Sequence, residues 1–432
     1  MKIAWFTPFN KKSAIGKYSK SAALALSKHA DVDIFVFDTS DLHETSLQTI
    51  HYDMNNVQPL LSDYDFCIYN MGDYSVYHGI IYNVMQQKKG IIISHDLCLH
   101  NFFRGYYFIN LENPEEYVRI LTEMYGGRNA RTILDAANNS STWSNLNLLN
   151  YHMTEKLFPF SLGFVVHSNY HANILKNSFH SPICVVPLLY ENDFISNNIS
   201  TGFYKHDSSK INLLTVGNVN PNKRVHATIE AIGNNSKLRK SARLTCIGAL
   251  DNEPYAEQLR KQIKEMQIDE NVELLGFVDD CQLATYYANA DVVINLRFPA
   301  YEGGSASLLE QMQLGKIVIV SDTGVYSEIP DDCIIKINPH NETKELKRAL
   351  LDVLKNPMKY KQFGKNAKSY AENNFTSDIY GKKLYDFIKF VNFNAPLCSL
   401  TDLLGQELKN MNVSSDMTIC ETLATEVGVL FK

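Results

Sequence analysis

A basic surplus is missing from this chain: 41 lysines and arginines stand against 47 aspartates and glutamates, a formal charge of −6. A nucleic-acid partner, which requires a positive field, is therefore not expected. Long hydrophobic runs are missing too, and no window approaches the roughly 18–20 apolar residues of a membrane span. The eight cysteines stand singly, several inside apolar runs (Cys67, Cys184, Cys246), with no close pair for zinc or redox chemistry. They read as reduced, buried small side chains of a cytoplasmic protein. No Gly-x-Gly-x-x-Gly follows either domain's first strand, which sets a dinucleotide-dependent oxidoreductase aside. The opening MKIAWFTPFN reads as a strand and turn rather than a cleavable leader.

What is present is repetition of one pattern. At 432 residues the chain fits two domains of about 150–200 residues each. Short apolar runs at 2–6, 32–37, 65–70, 90–94, 163–168 and 183–187 alternate with helical segments. That spacing predicts parallel βαβ units covered on both faces. A mostly helical insertion, 96–160, interrupts this first domain, 1–190, and the aperiodic polar stretch 191–210 reads as a linker. A second alternation has strands at 211–217, 243–248, 272–278, 291–296, 316–322 and 333–338, giving a domain over 211–375. A helix at 376–392 is expected to pack back on the first domain, followed by two short helices in 393–432. The fold class is α/β: two doubly wound Rossmann-like domains, with ligands expected in the cleft between their strand ends.

The stretch PAYEGGSASLLEQMQLGK, 299–316, carries the chemistry. A strand ends near Leu296 and a helix begins around Gly304 or Ser305. Gly303 and Gly304 permit close backbone approach and positive φ, and the first amides of a helix lack internal partners. Amides and helix dipole together make an anion seat suited to a diphosphate, to which Ser305 adds a hydroxyl. Glu310, in the second turn, can accept two hydrogen bonds from adjacent hydroxyls such as those of a ribose. Glu302 is harder to place, because a carboxylate and a phosphate 4 Å apart repel by about 1–4 kcal/mol in wet surroundings. It requires intervening cations or a neutral, hydroxyl-rich part of the ligand. Arg297 precedes it, and Lys223 and Arg224 follow the first strand of this domain. A ligand ordered ribose, diphosphate, sugar satisfies all of these groups.

On these residues the chain resembles the retaining nucleotide-sugar glycosyltransferases of family 4, whose fold is GT-B. The likeness covers about 1–390: two glutamates eight apart around a small-residue turn, then LGKIVIVSDTG. LLTVGNVNPNKRVHATIEAI is similar to the family's phosphate-binding strand–loop–helix. It has Lys223 at the phosphate lysine but Asn218 in place of an arginine, a loss that Arg297 or Arg224 would offset. The resemblance assigns Phe277 and Val278 to holding the base through backbone groups, while Asp279 and Asp280 read as helix caps by residue type. IISHDLCLHNFF resembles the His-Asp…Leu-His element of bacterial surface-polysaccharide members, which places His95 on the transferred sugar. Asp96 and His100 become acceptor-side candidates, His100 being equally compatible with helix packing. The loop before the first helix resembles the one that approaches the phosphates, with Ala14 at the family's glycine and Gly16 two residues on.

The implied reaction is transfer of a sugar from a nucleoside-diphosphate donor to an acceptor hydroxyl, with retained configuration. His95, Glu302 and Lys223 form its catalytic set. The resemblance implies neither metal nor cofactor, and Asp31-Val32-Asp33 and Asp63-Tyr64-Asp65 read as turn aspartates. It points to bacterial lipopolysaccharide, O-antigen or capsule assembly in the cytoplasm, with peripheral membrane contact open. The alternatives are a nucleotide-sugar epimerase of the same fold and a non-catalytic sugar-nucleotide-binding subunit.

Overall fold

A computed structural model describes residues 1–137, 147–179, 181–189, 209–414 and 418–430. Among them, the first sheet is built from β1 (Lys2–Phe6), β2 (Asp31–Val36), β3 (Thr49–His51), β4 (Phe66–Met71), β5 (Gly90–Ser94), β6 (Ser161–Val166) and β7 (Ile183–Val185). Its order is β3-β2-β1-β4-β5-β6-β7, every pair parallel. The second contains β8 (Ile211–Val216), β9 (Ala242–Ile247), β10 (Val272–Gly276), β11 (Val292–Asn295), β12 (Ile317–Ser321) and β13 (Ile335–Ile337). Its order is β10-β9-β8-β11-β12-β13, again parallel. Both orders turn outward from a central first strand, so the loops at the carboxyl ends of β1, β4, β5, β8 and β11 open onto one crevice.

Near-continuous Ile, Val, Leu and Phe in the central strands follow from burial on both faces. In the first sheet Phe6, Tyr69 and Ile92 pack on one side, and Trp5, Ile68 and Ile91 on the other. The second sheet repeats the arrangement, with Leu213, Leu244 and Ile319 opposite Leu214, Val293 and Val320.

The helix Ser377–Asn410 ties the halves together. It leaves the second domain and lies on the helix Ala14–Ser27, where Tyr380 and Tyr18 share a buried hydroxyl pair and Lys28 meets Asp378 at 2.5 Å. A Cβ at Gly381 would fall 2.4 Å from the Ala25 carbonyl, and one at Gly163 2.9 Å from the Phe387 ring, so glycine is what lets the helix approach. The expected break after 392 is absent: the helix runs through Pro396 to Asn410, and a second follows at Thr418–Leu430. Strand β3 is the one element of the first sheet that the apolar pattern does not reveal, because three residues at a sheet edge, largely exposed, carry no hydrophobic run. The insertion holds helices His100–Gly105 and Pro114–Ala137, the latter kinked at Gly126. The 191–210 linker lies almost wholly outside the described residues.

Candidate active site

The loops after β5 and β11 meet across the crevice. The Gly303 N–H donates to the His95 carbonyl and the Leu97 N–H to the Tyr301 carbonyl, each at 2.9 Å, which makes a short antiparallel bridge between Asp96 and Glu302. This contact explains the paired glycines. A Cβ at Gly303 would lie 2.7 Å from His171 Nδ1 and 3.0 Å from the His95 carbonyl. At Gly304 it would lie 3.1 Å from His167 Cβ and 3.2 Å from Leu188 Cβ. The positive φ expected at this pair is not found; the crowding comes from the opposite domain. A second clasp is Glu328, whose carboxylate accepts from the Asn169 N–H at 3.0 Å and the Tyr170 N–H at 2.5 Å, across the domain boundary. Asn169 and Tyr170 open the short helix Asn169–Leu175, which Ser168 caps by accepting from the His171 N–H.

Glu302 is answered by cations from its own domain. Arg297, 5% exposed, places Nε 3.1 Å from Glu302 Oε1, and the Tyr326 hydroxyl donates to the same oxygen at 2.6 Å. Lys223 is brought alongside because the Phe298 N–H donates to the Asn222 carbonyl at 3.0 Å. Burial, and then the positive charge of Arg297, push the Lys223 ammonium down to about 7, with Glu302 opposing. The result is a semi-buried cluster of two cations and one carboxylate.

Beside this cluster lies a cavity of about 800 Å³ between the domains. Its second-domain wall is Gly304, Ala306, Ser307, Glu310 and Asp280. Ser305 caps the helix Ala306–Gln313 by accepting from the Leu308 N–H at 3.3 Å, so its hydroxyl is engaged inward. The opening residues of the helix, Ala306 and Ser307, face the cavity. Glu310 reaches the same space with Oε2 held by the Tyr287 hydroxyl at 3.1 Å.

The first-domain wall brings His95, Asp96 and His167 together with Tyr18. The His167 Nδ1–H donates to the Val186 carbonyl at 2.9 Å, so its Nε2 accepts from the His95 Nδ1–H at 3.1 Å. That leaves His95 Nε2 3.1 Å from Asn70 Oδ1, where a hydrogen bond needs a second proton on the ring. Burial opposes that proton: it holds His95 well below the ordinary histidine range, with His167 adding to the effect, and holds His167 near 4. Asp96 is pushed up to about 6 by burial, opposed by the Asp73 N–H, with Glu302 adding to the rise.

Other expected residues fall elsewhere. Arg224 is turned from the cleft and held by the buried Glu342, with Nε 2.8 Å from Oε1, so it does not replace the missing arginine. His100 is fully enclosed, with Nε2 2.7 Å from the Tyr117 hydroxyl and Nδ1 2.5 Å from the Tyr151 carbonyl; it is a packing residue. Gly16 serves its own loop, since a Cβ there would fall 2.6 Å from the Pro8 carbonyl, whereas Ala14 does line the cavity. Asn218 is exposed and Phe277 is 84% exposed, and neither they nor Val278 belong to the cavity wall. Asp279, not Asp280, caps the helix Asp280–Asn289, through a reciprocal pair with Gln282. Sequence reading missed His167, Ser307, Tyr326 and the lysines Lys11, Lys17 and Lys20 of the cavity wall. Only the lysines left a signal, as recurring charge in NKKSAIGKYSK. Among the described residues, no group of His, Cys, Asp and Glu is arranged to hold a metal ion. No helix there is long and apolar enough to cross a membrane.

Two parallel doubly wound sheets facing across such a crevice define the GT-B architecture, and the neighbours among solved structures have it. Sucrose-phosphate synthase from Thermosynechococcus elongatus aligns with 15% identity and a TM-score of 0.61, over 90% of this chain and 99% of its own. HepE from Anabaena, solved in complex with UDP, aligns with 14% identity and a TM-score of 0.60, over 90% and 100%. WaaG, a glycosyltransferase involved in lipopolysaccharide biosynthesis, aligns with 15% identity and a TM-score of 0.56, over 89% and 99%. Residues 200–370 match the family described as glycosyl transferases group 1, so that stretch carries a domain of the group. No curated protein matches the sequence.

Proposed function

We propose that the chain moves a hexose-type sugar from a nucleoside-diphosphate donor to an acceptor hydroxyl, with retained configuration, in the manner of the family 4 enzymes. The observation that carries this is the cavity wall, with a helix start and Glu310 on one side and His95 and Asp96 on the other; the Arg297–Glu302 pair lies behind it, joined to the wall where Glu302 bridges Asp96. In this reading the diphosphate rests on the Ala306 and Ser307 amides, the ribose on Glu310 and the sugar near Glu302 and His95. Breaking the bond leaves charge on the phosphate, and Lys223, Arg297 and the helix end are fixed where they can meet it. Preorganised groups of this kind are worth roughly 3–4 kcal/mol each. The group 1 match and a neighbour solved with UDP support a nucleotide-sugar donor.

No metal or cofactor enters the proposal, because the protein's own cations and amides balance the phosphate, which itself takes the acceptor proton. Activity persisting in excess chelator is the corresponding expectation. The pathway is bacterial surface-polysaccharide assembly, fed by cytoplasmic nucleotide sugars. A panel of nucleotide sugars read by thermal shift tests the donor: a binder at a hundredfold excess over its Kd stabilises by about 3 kcal/mol. Turnover then separates the classes, since an epimerase converts donor without acceptor and a binding subunit does not turn it over. Glu302→Gln, whose amide oxygen can still accept from Arg297 and Tyr326, and Lys223→Ala should each abolish transfer and leave the fold intact; wild-type rates in both would refute the assignment.

A further inference from the structure

The first-domain wall of the cavity is cationic in a chain whose net charge is −6. Lys17 and Lys20, three residues apart on the helix Ala14–Ser27, share one helical face and both line the cavity. Lys11, from the loop before the helix, joins them; its ammonium lies 3.1 Å from Asp41, a partly exposed pair. His43 completes the group. Charge from all three lysines reaches this imidazole: burial lowers its affinity for a proton, Lys20, Lys11 and Lys17 lower it further, and Asp41 alone opposes. Of the acids lining the cavity, Asp280 and Glu310 come from the opposite domain, and Asp96, on the same wall as the lysines, belongs to the loop after β5 that bridges Glu302. Three lysines lining one stretch of a cavity wall, with Lys11 paired to the Asp41 carboxylate, are more than neutral hydroxyls require, since carboxylates and amides bind those as well.

Resting on the reading of the cavity as a sugar-transfer site, we propose that Lys11, Lys17 and Lys20 bind a phosphate group carried by the acceptor. The acceptor is thus a phosphorylated glycan or a phosphate-linked lipid carrier rather than a neutral sugar. The donor diphosphate has its own seat on the opposite wall, at the start of the helix Ala306–Gln313, which leaves the lysine wall to the second substrate.

The test uses the full chain and, once the panel has supplied a donor, paired soluble glycosides differing only by a phosphate monoester. For wild type, kcat/KM should favour the phosphorylated acceptor by about tenfold or more, the scale of one charge-assisted contact. In Lys17→Gln/Lys20→Gln that ratio should fall to near one, through the acceptor KM, while the donor KM changes less than twofold. Equal use of both acceptors by wild type overturns the proposal, and so does a rise confined to the donor KM, which would assign the lysines to the donor. A mixed-vesicle arm, phosphatidylcholine with and without phosphatidylglycerol, covers a third result. If the double variant loses binding to anionic vesicles but keeps its ratio on soluble acceptors, the lysines read a membrane surface and the proposal fails. Absence of any donor turnover in wild type removes the transferase reading itself, a separate failure from lost phosphate preference.

Discussion

Arg297, Glu302, Tyr326 and Lys223 show how a carboxylate is kept beside a phosphate seat. The arginine is nearly enclosed and holds Glu302 at 3.1 Å, so removing it strands a half-buried carboxylate. Arg297→Ala should lower unfolding free energy by roughly 3–5 kcal/mol, the usual scale for breaking a buried pair. Denaturant melts measure this, and an unchanged midpoint would contradict it. The lysine makes a pH prediction. Its affinity for a proton in the empty site lies near pH 7, and a bound diphosphate raises it. Donor binding should therefore take up close to one proton at pH 8 and almost none at pH 6, with affinity weakening as pH rises above 7. Calorimetry in buffers of different ionisation heat reads this directly. The spacing of Glu302 and Glu310, the small residues between them and the available cations are legible in the sequence. Which cation meets which carboxylate is not, because Arg224 and Lys223 are adjacent in the chain yet face different partners.

At the scale of elements, the strand–turn–helix from β11 to Gln313 performs two tasks. Its helix start faces the cavity, and its glycines press against the other domain. Ser305→Ala removes a cap and should cost about 1 kcal/mol of stability with only a small change in fold. Gly303→Ala is different: its added carbon meets a backbone carbonyl and a buried histidine of the opposite domain, so the clasp must open. We expect loss of donor turnover, together with faster hydrogen exchange at the Leu97 and Gly303 amides; wild-type protection at both would show that the clasp tolerates a side chain. Most strands were legible because both faces of a parallel sheet are buried and the runs are continuous. β3 was not, being short and at an edge, and neither was the length of the last long helix, since Pro396 reads as a stop. The role of the glycine pair was half legible: close approach follows from the residue type, but the approaching surface, His167 and His171, comes from over 130 residues upstream.

For the whole molecule, the first domain keeps its buried histidines neutral, both in its core and on its cleft face. His78, His100 and His167 are pushed to about 4 and His171 to about 3, and His95 is well below its ordinary range, burial leading in each case. The unfolded chain protonates these groups near pH 6.5 and the folded chain does not, so stability falls as pH drops from about 6.5 toward 4. Asp73 and Asp96 act in the opposite direction, because burial raises them and the folded state binds their protons first. Five groups outweigh two, and the melting temperature should drop by several degrees between pH 7 and pH 5. Constancy over that range would contradict these enclosed, neutral histidines. The most direct measurement of the central claim is the structure of the chain bound to a nucleoside diphosphate. The account predicts phosphate oxygens on the Ala306 and Ser307 amides and ribose hydroxyls on Glu310. A nucleotide seated away from that helix, or Glu310 turned from it, would contradict the account.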